Sequence, residues 1–96
     1  MTQKEIIKKL KAYKENSEYN NKIRQIGLFG SFARGNIRSD SDIDVFVELQ
    51  PAEMFTLIGI KYDLERIFRR KIDIVAIRQK MNKVLLNEIK SSGIYA

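Results

Sequence analysis

In the stretch "GLFGSFARGNIRSDSDIDVFVEL", Gly27 to Leu49, a glycine-serine pair (Gly30, Ser31) is followed ten residues later by Asp42 and Asp44, with Asp40 two positions ahead of them. Carboxylates so close repel one another and need a cation or a proton. Strand alternation aims Asp42 and Asp44 from one sheet face, about 7 Å apart at a rise of roughly 3.3 Å per residue. Two carboxylates so placed can bridge a pair of Mg²⁺ ions about 3.5–4 Å apart, the arrangement that serves in-line phosphoryl and nucleotidyl transfer. Magnesium prefers oxygen donors and keeps substrate phosphates among them, which suits a chain with no His and no Cys.

Other readings of the same residues fail on specific positions. Asp40, Asp42 and Asp44 fit the first three ligand positions of an EF-hand loop, but Val45 stands where its glycine belongs and Pro51 where its bidentate glutamate belongs. "GSFARG" has the glycine spacing of a phosphate-binding loop, but Asn36 and Ile37 replace its Lys and Ser/Thr. The dinucleotide fingerprint is absent. Asp40, between Ser39 and Ser41, reads as ordinary turn chemistry. Arg34 and Arg38 are either phosphate contacts or solvated loop arginines; Arg34 is placed with Gly30 and Ser31 as nucleotide-binding. Glu48 shares the face of the aspartates farther up the strand and reads as surface.

The elements that must hold these residues follow from periodicity. Ile6, Leu10 and Tyr13 predict an amphipathic helix over about Gln3–Lys14, and "IRQIGLF" predicts a first strand over Ile23–Phe29. After the glycine-rich turn, strict alternation predicts a second strand with Asp42, Asp44, Phe46 and Glu48 on one face and Ile43, Val45, Val47 and Leu49 on the other. A helix is expected from about Ala52 to Arg69, with Pro51 suiting its first turn and Leu57, Ile60, Leu64, Ile67 and Phe68 inward. "KIDIVAI" predicts a third strand, apolar but for Asp73, and "NKVLLNEIKSSGIYA" a last helix stopped near Gly93. The second and third strands should be parallel, joined by a helical crossover. An antiparallel first pair would bring the Gly-Ser corner beside the aspartates. The expected class is α/β (α+β), a small mixed sheet of about three strands with helices, as one domain over residues 1–96.

Composition narrows the chemistry further. At 96 residues with 44% hydrophobic content, the chain can build one core and leaves no room for a second, substrate-recruiting domain. The absence of Cys and His rules out thiol nucleophiles, disulfides and histidine proton shuttles, so catalysis falls to carboxylates, hydroxyls, lysines and arginines. No apolar run spans a membrane, and "MTQKEIIKKLKAYKEN" lacks a secretion signal's apolar core, so a cytoplasmic protein is expected. The net charge of +6 favours encounter with anions. The lysines of the first helix and "RIFRRK" read as solvated faces rather than a nucleic-acid patch, since aromatic residues for base stacking are sparse there.

"GSFARGNIRSDSDIDVFVEL" resembles the nucleotidyltransferases of the DNA polymerase β superfamily, specifically the minimal nucleotidyltransferase (MNT) domains, MntA-like antitoxins paired with HEPN-domain toxins. The resemblance covers nearly the whole chain, through "KIDIVAI" and the closing "LLNEIKSSGIYA". It implies a polymerase-β-like fold and a Mg²⁺-dependent transfer of AMP from ATP to a hydroxyl, a tyrosine of a partner HEPN ribonuclease toxin, in a hetero-oligomer. By the same resemblance, Gly30 lets the backbone approach a triphosphate, and Ser31 offers its hydroxyl and backbone N–H to the phosphate oxygens. Asp42 and Asp44 hold the metals, and Asp73 is the third carboxylate, binding the metal near the attacking hydroxyl and helping to deprotonate it. Without that role, Asp73 would need a partner such as Lys71 or Arg70. Two other readings keep part of this picture: addition of a nucleotide to an RNA or DNA 3′-hydroxyl, and a non-catalytic antitoxin that acts by binding.

Overall fold

Ile6, Leu10 and Tyr13, spaced to share one helix face, are buried on α1 (Gln3–Asn16). The helix starts at a capping box in which the Thr2 hydroxyl accepts from the Glu5 N–H and the Glu5 carboxylate accepts from the Thr2 N–H, each at 3.1 Å. The computed structural model describes residues 1–38, 40–78 and 80–96. After α1 come β1 (Ile23–Phe29), α2 (Gly30–Ala33), β2 (Ile43–Leu49), α3 (Met54–Phe68), β3 (Ile72–Ala76), α4 (Lys83–Ser92) and β4 (Ile94–Tyr95).

The strands form one mixed sheet in the order β3-β2-β1-β4. β1 and β2 are antiparallel, β2 and β3 are parallel across the α3 crossover, and β4 lies antiparallel to β1. The expectation of about three strands is thus corrected to four. β4 forms because α4 stops at Gly93 and the chain returns along β1, where the Ala96 N–H donates to the Ile26 carbonyl at 2.8 Å.

One face of the sheet is covered by α1 and α3. Ile6, Leu10 and Tyr13 meet Ile60, Leu64 and Phe68 across Ile26, Leu28, Ile43, Val45, Val47 and Ile72. On the opposite face Phe46, Phe29 and Ile89 form a smaller cluster with Val75, Ile77, Met81 and Leu85. Phe46 is fully buried there, its ring edge-on to Tyr95 at 5.0 Å. β2 therefore alternates as its sequence implies, with its acidic residues on the α4 side.

Two local expectations change. Pro51 lies ahead of α3 rather than in its first turn, after a cis Gln50–Pro51 peptide, and the helix begins only at Met54. Ile67 is 41% exposed: Thr56, Ile60, Leu64 and Phe68, at steps of four, form the buried line of α3, and Ile67 falls off its edge.

Candidate active site

Asp44 stands at the second position of β2, opposite Phe29 of β1 on one side and Asp73 of β3 on the other. The antiparallel register places the next residue of the first strand's path, Gly30, directly against it. Gly30 has φ +72, and a Cβ built there would lie 2.2 Å from Asp44 Oδ2. Only a residue without a side chain fits both that backbone conformation and that contact. Gly30 of the glycine-serine corner thus meets Asp44, the contact that an antiparallel first pair brings about.

Asp42 sits one residue ahead of β2 and is half-buried; Asp73 is exposed on β3. Burial pushes the Asp44 carboxyl up to about 6, and the charges of Asp73, Asp42 and Glu88 push in the same direction, against a smaller opposing effect of Arg34. Asp44 therefore lies where negative charge is in excess. Among the described residues no three His, Cys, Asp or Glu side chains converge into a preformed metal cage. The donor set nonetheless fits a hard divalent cation: it is all carboxylate, Asp44 and Asp73 are paired in register on adjacent strands, and the mutual repulsion around Asp44 is what such a cation relieves.

Ser31, half-buried in α2, lines a cavity of about 530 Å³ together with Gly35, Asn36, Ile37, Arg38 and Ser41. Arg38 is thereby brought to the pocket. Arg34, at the end of α2, points its guanidinium to Glu88 of α4, with Nη1 donating to Oε1 at 2.8 Å. Asp40 is exposed in a turn; Ser39, its predicted turn companion, lies outside the described residues. Arg70 does not neutralise Asp73: its guanidinium donates to the carbonyls of Arg38 and Ser41, and no ion pair to Asp73 forms among the described residues.

Glu88 and Arg70 are the site residues that sequence reasoning missed. Glu88 lies 54 positions from Arg34, and Arg70 lies 29 from Ser41, so no local pattern links them. A second cavity, of about 580 Å³, opens between α1 and α3 and is lined by Lys9, Ala12, Tyr13, Asp63, Arg66 and Ile67 among others. It faces away from the aspartates. Its acid, Asp63, is already satisfied by the Tyr13 hydroxyl at 2.7 Å and by Arg66, and burial together with that acid raises the Tyr13 phenol.

Comparison with known proteins places the chain in a family. The profile of polymerase β nucleotidyltransferases matches residues 4–95, and this chain belongs to that family and is a nucleotidyltransferase. A Methanocaldococcus jannaschii protein named for protein adenylyltransferase activity, MJ1379, is 34% identical over 98% of this chain and 97% of its own. The protein adenylyltransferase MntA of Thermococcus cleftensis is 29% identical over 93% and 94%, respectively. Among solved structures, a chain of a toxin–antitoxin complex with AMP-PNP superposes with a TM-score of 0.72 at 23% identity, covering 99% of this chain and 72% of that one. A chain of the complex between tri-AMPylated Shewanella oneidensis HEPN toxin and MNT antitoxin gives 0.68 at 20% identity, with coverage of 98% and 71%. These likenesses establish the polymerase-β-like fold. Among the described residues no helix is long and apolar enough to cross a membrane.

Proposed function

We propose that this nucleotidyltransferase transfers AMP from ATP to a hydroxyl of a partner protein, a tyrosine of a HEPN ribonuclease toxin, and so acts as its antitoxin. The observation that carries the reading is the contact of Gly30 with Asp44, which sets a backbone corner and a carboxylate against the same space. The names of the relatives and the AMPylated toxin in a structural neighbour support the choice of AMP and of a protein acceptor.

In this reading Gly30 and Ser31 take the triphosphate, with Arg34 and Arg38 at its margin. Asp42, Asp44 and Asp73 hold Mg²⁺, which when bound neutralises phosphate charge and favours the ionised acceptor hydroxyl. The hydroxyl oxygen attacks the α-phosphorus; the bond from that phosphorus to the bridging oxygen breaks, and pyrophosphate leaves with the electron pair. Asp73, exposed on β3 beside Asp44, accepts the hydroxyl proton.

The test is radiolabelled ATP with the co-purified partner. Mg²⁺-dependent label on the partner that disappears in Asp42→Asn plus Asp44→Asn is expected. Label on free oligonucleotide instead would assign a nucleic-acid acceptor, with affinity falling steeply with salt. Intact toxin neutralisation by that double variant would assign inhibition by binding alone.

A further inference from the structure

Arg70 sits just after α3, half-buried, and its side chain is committed inside the molecule. Its guanidinium lies 4.9 Å from the centre of the Phe32 ring and donates to the carbonyl oxygens of Arg38 and Ser41. Phe32 belongs to α2 and is fully buried, so the stacked guanidinium has a fixed platform. The next residue, Lys71, accepts the Ile43 N–H at its carbonyl, at 3.1 Å. Asp42 is thus flanked on both sides: Ser41 is held by Arg70, and Ile43 by Lys71.

That clasp ties Arg38 and Ser41, which lie between α2 and β2, to the end of α3. Among the described residues, the backbone bonds of this stretch are local: the Gly35 N–H donates to the Phe32 carbonyl at 3.1 Å, the Asn36 N–H to the Ser31 carbonyl at 2.9 Å, and the Ser41 N–H to the Arg38 carbonyl at 3.5 Å. Yet the same stretch supplies Asn36, Ile37, Arg38 and Ser41 to the cavity beside Ser31, and it leads into Asp42, which lies outside the strand ladder.

We infer that Arg70 is a positioning residue: stacked on Phe32 and bonded to the carbonyls of Arg38 and Ser41, its guanidinium holds the phosphate side of the pocket and the entry of Asp42 into the site. Nη2 donates to both carbonyls while the guanidinium lies over the Phe32 ring, and lysine's compact ammonium does not reproduce that stacking. Its effect on activity rests on the nucleotidyl-transfer reading above.

The experiment uses the full chain with Arg70→Lys, Arg70→Ala and, as a control that removes an arginine of the cavity facing away from the aspartates, Arg66→Ala. Three quantities are read: affinity for AMP-PNP in Mg²⁺ by calorimetry, hydrogen exchange at the amides of Ser41 to Ile43, and recovery of Arg70→Ala in millimolar guanidinium. Both Arg70 variants should bind the analogue about tenfold more weakly, the scale of a lost charged hydrogen bond. Their Ser41–Ile43 amides should exchange faster, guanidinium should restore binding to Arg70→Ala, and Arg66→Ala should match the unmodified protein. Unchanged affinity or unchanged exchange in Arg70→Lys overturns the inference, as does weakened binding that guanidinium leaves unrestored, since that marks general destabilisation. If Arg70→Ala does not fold, Arg70→Lys decides by affinity and exchange. If the unmodified protein itself fails to bind the analogue, the nucleotidyl-transfer reading fails, and the clasp still stands or falls on exchange alone.

Discussion

The contact between Gly30 and Asp44 gives the site its most direct test at the level of single residues. Gly30→Ala must place a Cβ 2.2 Å from Asp44 Oδ2 while holding φ +72. We expect a cost of about 1–3 kcal/mol in urea unfolding, the usual scale for one strained backbone position, together with loss of AMP-PNP binding by calorimetry. Asp44 supplies a pH signature. Its folded carboxyl titrates at about 6, above the ordinary 3.8, so the folded state holds that proton more tightly than the unfolded chain. The associated stability is present below the ordinary value and is lost as pH rises through 6. Metal-free Asp44→Asn should therefore melt higher than the unmodified protein at neutral pH, and the gap should close as pH falls below about 4. Thermal unfolding of both proteins across that range, followed by circular dichroism, provides the check. Asp42, Asp44 and Asp73 were legible as candidates because acids in apolar, alternating segments conflict with burial unless something uses them. Glu88 and Arg70 carried no such conflict: each is an ordinary charged residue in a helix or at its end, and only folding brings them to the loop and to Arg34.

Among the elements, the cluster on the α4 side of the sheet decides how firmly the site's own face is built. Phe46 is fully buried between Phe29 and Tyr95, at 6.5 and 5.0 Å between ring centres. Phe46→Ala should cost on the order of 3–5 kcal/mol in chemical denaturation, the range for a truncated buried aromatic. β1 was read with the bounds it has, Ile23–Phe29, because turn formers and a glycine punctuate both ends. β4 was not legible, since two residues after a helix carry no periodicity; it exists only because β1 offers an unpaired edge at Gly27 and Leu28. The start of α3 was misplaced for a related reason. Proline is equally at home in a helix's first turn and in the extended bend before one, and here it takes the bend.

For the molecule as a whole, a net charge of +6 surrounds a site in which Asp44 is crowded by the charges of Asp73, Asp42 and Glu88. Overall attraction draws in a polyanion, while the local repulsion leaves the acids ready for a divalent cation. The rate at which a fluorescent ATP analogue associates should therefore fall as salt shortens the screening length from about 30 Å at 0.01 M to about 8 Å at 0.15 M. Stopped-flow measurement at several ionic strengths tests this.

The order β3-β2-β1-β4 also gives the acids unequal moorings. Asp44 rides on a strand flanked on both sides, whereas Asp73 rides on β3, which is bonded to β2 alone among the described residues. Fraying from that rim would carry off Asp73, the proton acceptor we propose, while the rest of the sheet stays intact. Transfer activity should accordingly fade on warming several degrees before circular dichroism reports melting, and coincident curves would show that β3 holds to the end.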